Sequence, residues 1–177
     1  MRASLEIERA ATSALRPATR AALLALCNAA YQEAIEPYLE AIGPGEHLLG
    51  TRAGVLASHL MWVTRSLQPL GMPPLRTAYV ELVATAPEMQ GHGYATQLLE
   101  AFPRYVGDHD LAALSPATEG LYVHLGWRVW RGPLAVRHEG RLVPTPGGRV
   151  MILQLPRTPV LDDTRLLSVE WRPGEVW

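Results

Sequence analysis

Hydrophobic and polar positions along the chain follow two periods, and the alternation between them divides it into strands and helices. Leu5–Ala10 alternates weakly and predicts a first strand. Pro17 suits a first helical turn, and Leu23, Leu24, Cys27, Tyr31 and Ala34 then recur at helical spacing as a buried stripe until Pro37 interrupts the run. A second short helical piece runs to about Ile42 and stops at Gly43-Pro44-Gly45. Two strands, His47–Arg52 and Val55–Thr64, flank a hairpin turn at Ala53-Gly54. Gln68–Pro74 is a loop rich in Pro and Gly, and Thr77–Thr85 (TAYVELVAT) is the best strand, dominated by β-branched and aromatic residues.

A Gly-rich turn follows, and a helix begins near Tyr94 with Ala95, Leu98, Leu99, Phe102 and Val106 as its apolar positions; Pro103 should kink or shorten it. Leu111–Leu114 reads as a short buried strand. Ser115-Pro116 reads as a capped helix start, with the helix running to about Leu125 and ending at Gly126. Trp127–Arg137 and Arg149–Leu155 supply the last strands, separated by turns at Glu139-Gly140 and Pro146-Gly147-Gly148, and an irregular tail remains. This order predicts an α/β fold of the α+β kind, with a single mixed, mostly antiparallel central sheet flanked by helices. Residues 1–177 are expected to form one domain, and there is no internal repeat.

Composition narrows the function classes. A hydrophobic fraction of 48% with 19% charged residues suits a soluble globular enzyme, and a net charge of −1 gives no bulk attraction to nucleic acid or an anionic membrane. A local basic pocket for one phosphate-rich ligand remains compatible with that balance. Cys27 is the only cysteine and lies in the apolar helical pattern, where it reads as a small buried hydrophobe. Ala21–Ala30 is too short and too late for a secretory core, no run reaches transmembrane length, and a cytoplasmic location is expected. His47, His59, His109, His124 and His138 show no metal-ligand spacing, so no metal is expected. Arg16, Arg20, Arg52, Arg65, Arg76 and Arg104 read as scattered surface charges.

The candidate chemistry starts at Gln90–Ala95. A strand, a Gly-rich turn and a helix start expose unpaired backbone N–H groups where the helix dipole favours negative charge. Read alone, Gly91-x-Gly93 admits a dinucleotide site, a purely structural tight turn, or the phosphate turn of an acyl-CoA enzyme; no Gly-Lys-Ser/Thr follows to make a Walker-type site.

Gln90-x-x-Gly93-x-Ala95 resembles the Gln/Arg-x-x-Gly-x-Gly/Ala signature of the GNAT superfamily of N-acetyltransferases, and Leu121-Tyr122-x-x-x-Gly126-Trp127 is similar to that family's later helix motif. Three further stretches resemble the aminoglycoside 2′-N-acetyltransferases: Tyr79-Val80-Glu81, Gly126–Pro133 and the tail Trp171–Trp177. The resemblance implies the GNAT acyl-CoA N-acyltransferase fold, acetyl-CoA as cofactor and a small-molecule amine, an amino sugar, as acceptor. It implies that Gln90, Gly91, His92, Gly93, Tyr94, Ala95 and Thr96 hold the CoA pyrophosphate, while Val83 and Thr85 belong to the strand that pairs with the pantetheine arm. Tyr122 would then be the general acid for the departing thiolate.

Elementary chemistry supports those positions. Free amines are largely protonated at neutral pH, and a carboxylate must take that proton before the nitrogen can attack. Glu81 lies in an apolar strand where burial would make it more basic, and the Val83 N–H is a candidate to polarise the acetyl carbonyl. A polycationic acceptor requires acids. The resemblance offers Glu175 and the carboxylate of Trp177, with Ser115 nearby, while Glu33 and Glu36 stand after the first helix at a spacing that differs from the family's aspartates. A further acidic run of the family is replaced by Pro146-Gly147-Gly148-Arg149. The alternatives are acetylation of a protein N-terminus, a lysine or another small amine, or a non-catalytic acetyl-CoA-binding module. No nucleic-acid or membrane partner is expected, and a homodimer is compatible with the sequence.

Overall fold

The computed structural model describes residues 4–177. In chain order these form β1 (Glu6–Ala11), α1 (Pro17–Tyr31), α2 (Glu36–Ile42), β2 (Glu46–Arg52), β3 (Val55–Pro69), β4 (Leu75–Thr85), α3 (Tyr94–Ala101), β5 (Leu111–Leu114), α4 (Gly120–Val123), β6 (Arg128–Val129), β7 (Leu134–His138), β8 (Arg141–Pro144), β9 (Met151–Gln154) and β10 (Leu167–Glu170). The strands hydrogen-bond in the order β6-β9-β5-β4-β3-β10-β7-β8, with β2 also on β3 and β1 on β2. Pairing is parallel at β4–β5 and β7–β10 and antiparallel at β1–β2, β2–β3, β3–β10, β5–β9, β6–β9 and β7–β8. The mixed, mostly antiparallel sheet flanked by helices is the fold class expected from the pattern of elements.

The chain divides into two compact units. The first comprises the chain up to Val63 together with Glu81–Tyr105. Its hairpin β2–β3 turns at Ala53 (φ 50°) and Gly54 (φ 78°), both left-handed as a type I′ turn requires. The core of this unit includes Leu23, Leu26 and Cys27 of α1, Leu48, Leu60 and Trp62 of the hairpin, and Leu98 and Phe102 after the Gly-rich turn. Trp62 meets Phe102 edge-on with ring centroids 5.4 Å apart, a favourable aromatic geometry. Helix α1 ends three residues earlier than its apolar stripe suggests, because Gln32 takes a left-handed conformation (φ 57°) that stops the helix before Ala34. Pro37 then sits in the first turn of α2 instead of breaking a helix.

The second unit holds Thr64–Val80 and Val106–Trp177. Its centre is β5, four fully buried apolar residues with β4 on one side and β9 on the other. Two strands that the pattern does not announce, β8 and β10, lie in segments read as turn and irregular tail. The expected helix after β5 is a correction: only Gly120–Val123 is helical. Ser115 does not cap it, since its hydroxyl donates to the Arg149 carbonyl at 2.8 Å, and Gly120 weakens the segment as a helix former. Pro103 shortens α3 as expected, with a 3₁₀ turn at Phe102–Tyr105 taking over.

Candidate active site

Strand β4 changes character along its length. Thr77–Val80 are buried on both faces, whereas from Glu81 onward only alternate residues are buried. Leu82 and Ala84 point into the core, and Glu81, Val83 and Thr85 share the half-open face. Two tyrosines from the helical segment reach this face. The Tyr38 hydroxyl of α2 donates to Glu81 Oε2 at 2.8 Å. Tyr31, the last residue of α1, brackets Val83: the Val83 N–H donates to Tyr31 Oη at 3.2 Å, and the Tyr31 hydroxyl donates to the Val83 carbonyl at 3.0 Å. One phenol therefore satisfies both backbone groups of the residue expected to polarise the acetyl carbonyl. Ser58 of β3 holds the end of the strand, donating to the Ala84 carbonyl and sharing a 2.9 Å bond with the Thr85 hydroxyl.

The Gly-rich turn is built by its own side chains. Gln90 Nε2 reaches back to the Thr85 carbonyl at 3.3 Å, and His92 Nδ1 lies 2.9 Å from the Gln90 carbonyl and 3.1 Å from that of Met89. Facing two carbonyls, Nδ1 is the donor here, which leaves Nε2 turned away from them. Gly91 and Gly93 have φ of 78° and 77°, a region that a side chain would strain, and nothing lies within 4 Å of the Cβ position at Gly91. Gly93 is the N-cap of α3, where orphan N–H groups are available to an anion. Tyr94 is buried, stacks on His92 with centroids 5.6 Å apart and receives a hydrogen bond from the Arg52 guanidinium. Ala95 and Thr96 are half-buried in the first turn of the helix. A cation beside the positive end of a helix is unfavourable alone and becomes favourable when an anion joins them.

In the same unit, Glu33 is exposed in the segment between α1 and α2, and Glu36 is paired with Arg20 at 2.7 Å. The buried groups of this unit are inert by comparison. Burial raises the Cys27 thiol to about 12 and lowers the His47 and His59 rings to about 4 and about 3. The His59 ring lies 3.5 Å from Cys27 Sγ and 2.9 Å from His47, which in turn meets the Thr12 hydroxyl at 2.9 Å.

In the second unit, Tyr122 lies on α4 with its ring edge-on to Trp127, 6.0 Å between centroids. Burial holds its phenol above the ordinary range, so it is protonated at neutral pH. Ser115 is exposed beside Arg149, whose guanidinium pairs with Glu119. The Trp171–Trp177 tail is docked: Trp177 is only 8% exposed and its indole N–H donates to the Thr145 hydroxyl at 2.7 Å. Glu175 is exposed.

Arg65 corrects the reading of scattered surface arginines. It is 4% exposed, pairs with Glu170 at 3.3 Å and donates to the carbonyls of Glu170 and Val176 at 2.7 and 2.5 Å. The strand runs past the Thr64 end that the pattern predicts, and the alternation beyond it, with Arg65, Leu67 and Pro69 buried, was the available signal. Tyr31 and Tyr38 were also missed as site residues. Their contacts to β4 join residues 52 and 43 apart in sequence, which no local pattern carries.

The family described as "Acetyltransferase (GNAT) domain" matches residues 12–130. The aminoglycoside 2′-N-acetyltransferase of Mycolicibacterium fortuitum is 34% identical over 140 residues, 75% of this chain and 71% of that protein. A GNAT family N-acetyltransferase from Escherichia coli, solved in complex with CoA, superposes with a TM-score of 0.65 at 16% identity, covering 94% of this chain and 89% of that one. A GCN5-related N-acetyltransferase from Kribbella flavida gives 0.54 at 16% identity over 73% of this chain, which spans 34% of that protein's length. The two structural likenesses are those of the fold. The chain belongs to the GNAT family of N-acetyltransferases.

Proposed function

We propose that this chain, working over 1–177 as one catalytic domain, moves an acetyl group from acetyl-CoA to the 2′-amino group of an aminoglycoside or a related amino sugar. The observation that carries the acceptor is the 34% identity to the Mycolicibacterium fortuitum enzyme over 75% of the chain. Acetyl-CoA, when bound, supplies an acetyl group activated as a thioester. The residues present fit it: the turn is open at Gly91, just before the N-terminus of α3, and the face of Glu81, Val83 and Thr85 is half-open. Gln90, Gly91, His92, Gly93, Tyr94, Ala95 and Thr96 hold the pyrophosphate, with Val83 and Thr85 along the pantetheine arm.

Glu81 accepts a proton from the acceptor ammonium, leaving a nitrogen lone pair to attack the acetyl carbon. The Val83 N–H, once released by Tyr31, donates to the carbonyl oxygen as negative charge grows there. Tyr122 Oη gives its proton to the sulfur as the C–S bond breaks, a role supported by the raised phenol. Glu33, Glu36 and Glu175 are the acids for the acceptor's other ammonium groups, with Ser115 and Trp177 as further acceptor contacts. A thiol-release assay with acetyl-CoA and paired aminoglycosides, identical except for a 2′-amino or a 2′-hydroxyl group, tests the reading. Turnover is expected with the 2′-amino partner alone. Equal turnover of both would remove the regiochemistry, and turnover of peptides alone would overturn the amino-sugar acceptor.

A further inference from the structure

The second unit contains a cavity of about 280 Å³ that includes none of the residues assigned to acetyl transfer. Leu70, Leu142 and Leu166 give it apolar walls, and Arg137, Arg141 and Gln68 give it polar ones. The β7–β8 hairpin forms one side. Its turn residues Glu139 (φ 48°) and Gly140 (φ 73°) are both left-handed, so Arg141 stands in fixed register opposite His138. On the other side, Leu70 N–H donates to the Leu166 carbonyl and Gln68 Nε2 donates to that of Met72, each at 2.8 Å.

The charges here do not balance. Arg137 spends both terminal nitrogens on neutral acceptors: Nη1 donates to the Ser168 carbonyl and hydroxyl at 2.8 Å, and Nη2 to the Ser66 carbonyl and hydroxyl at 2.5 and 3.1 Å. The nearby acid, Glu170, is already engaged by the Arg65 guanidinium and the Ser66 N–H. Desolvation leads the forces that push Arg137 below the usual guanidinium range, with Arg65 adding repulsion against the attraction of Glu170. Arg141 makes no ion pair with any described residue. Arg65 and Arg137 thus share the Glu170 carboxylate, and the site lies beside leucines of which Leu70 and Leu142 remain about half exposed. A partly buried charge without a counter-charge is costly, and an arriving anion relieves that cost.

We propose that this cavity binds a small amphipathic carboxylate. Arg137 provides a fixed positive field there. Arg141, exposed and without an ion pair among the described residues, provides a planar fork that matches a carboxylate bidentately. The aliphatic body lies against Leu70, Leu142 and Leu166, and the volume, near the lower end of ligand cavities, suits a chain of about six carbons.

Hexanoate, hexanol and hexylammonium are the matched probes, titrated at low ionic strength into the full chain while backbone amide shifts are followed. Hexanoate is expected to saturate, moving the amides of Gly71, Gly140 and Leu142, while hexanol and hexylammonium do not. Arg141→Glu should weaken hexanoate by at least about tenfold and leave the rest of the spectrum in place, since Arg141 is exposed and makes no ion pair with a described residue. Hexanol binding as tightly as hexanoate, or an unchanged titration in Arg141→Glu, would overturn the proposal. The same titration in the presence of saturating CoA is expected to be unchanged; competition by CoA would mean the anion binds elsewhere.

Discussion

Glu81 accepts a hydrogen bond from Tyr38, and removing the acid or removing its support should leave different kinetic signatures. Glu81→Gln keeps the shape but cannot take a proton, so kcat should fall about 10²-fold or more while CoA binding, read by calorimetry, stays within twofold. Tyr38→Phe leaves the acid but frees its orientation, and a smaller loss of about 3- to 10-fold in kcat is expected. Equal losses in the two variants would show that Glu81 acts only through its bond to Tyr38. Tyr31 makes the opposite prediction. Its hydroxyl occupies both polar groups of Val83, so Tyr31→Phe should lower the KM for acetyl-CoA by up to about 5-fold with kcat little changed. A rise in KM would mean that the phenol assists the cofactor instead of competing with it.

At the scale of elements, the packing of α1 against the β2–β3 hairpin encloses the His47–His59 pair, and this sets an acid limit. Both rings have folded pKa values below the ordinary 6.5, so the unfolded chain binds more protons than the folded one once pH falls below that value. Stability should be flat in this respect above pH 6.5 and decline toward pH 4, by at most about 1.4 kcal/mol per pH unit for each ring. Urea midpoints measured across that range should show the slope, and His47→Gln should roughly halve it. Arg65 governs another element: it ties β3 to β10 and to the tail at Val176. Arg65→Met should cost about 3 kcal/mol in urea unfolding by leaving Glu170 without its cation and the Glu170 and Val176 carbonyls without this donor. The elements that could be read from sequence were those with a local signature, such as TAYVELVAT for β4 or Ala53-Gly54 for the β2–β3 hairpin. β8 and β10 could not: four residues each, they owe their extended form to partners, and β10 lies between β3 and β7 in a register set some hundred residues away. Ser115-Pro116 misled because its hydroxyl found the Arg149 carbonyl, a competitor that no helix-start rule includes.

For the molecule as a whole, the motifs that carry the resemblance in the sequence lie between Tyr79 and Trp177, yet the family match begins at residue 12. The earlier segment contributes Tyr31, Tyr38 and Arg52, whose roles exist only once helices α1 and α2 meet β4 and β2 meets α3. Cofactor binding should be visible as global stabilisation: CoA at about a hundred times its Kd adds about 2.7 kcal/mol, seen as a rise in Tm. Gly93→Val places a β-branched side chain at φ 77°, and this variant should lose most of that rise while folding at a somewhat lower temperature. A full CoA-dependent rise in the variant would detach the turn from the phosphates.

The sealed position of Cys27 has a practical consequence. Fully buried, with its thiol raised to about 12 and no second cysteine in the chain, it offers almost no thiolate to a colorimetric disulfide reagent at pH 8. Free CoA would then be the only sulfur such a reagent detects during turnover. A cysteine introduced at any exposed position would likewise accept a fluorophore or spin label at that one site, without first having to remove the native thiol.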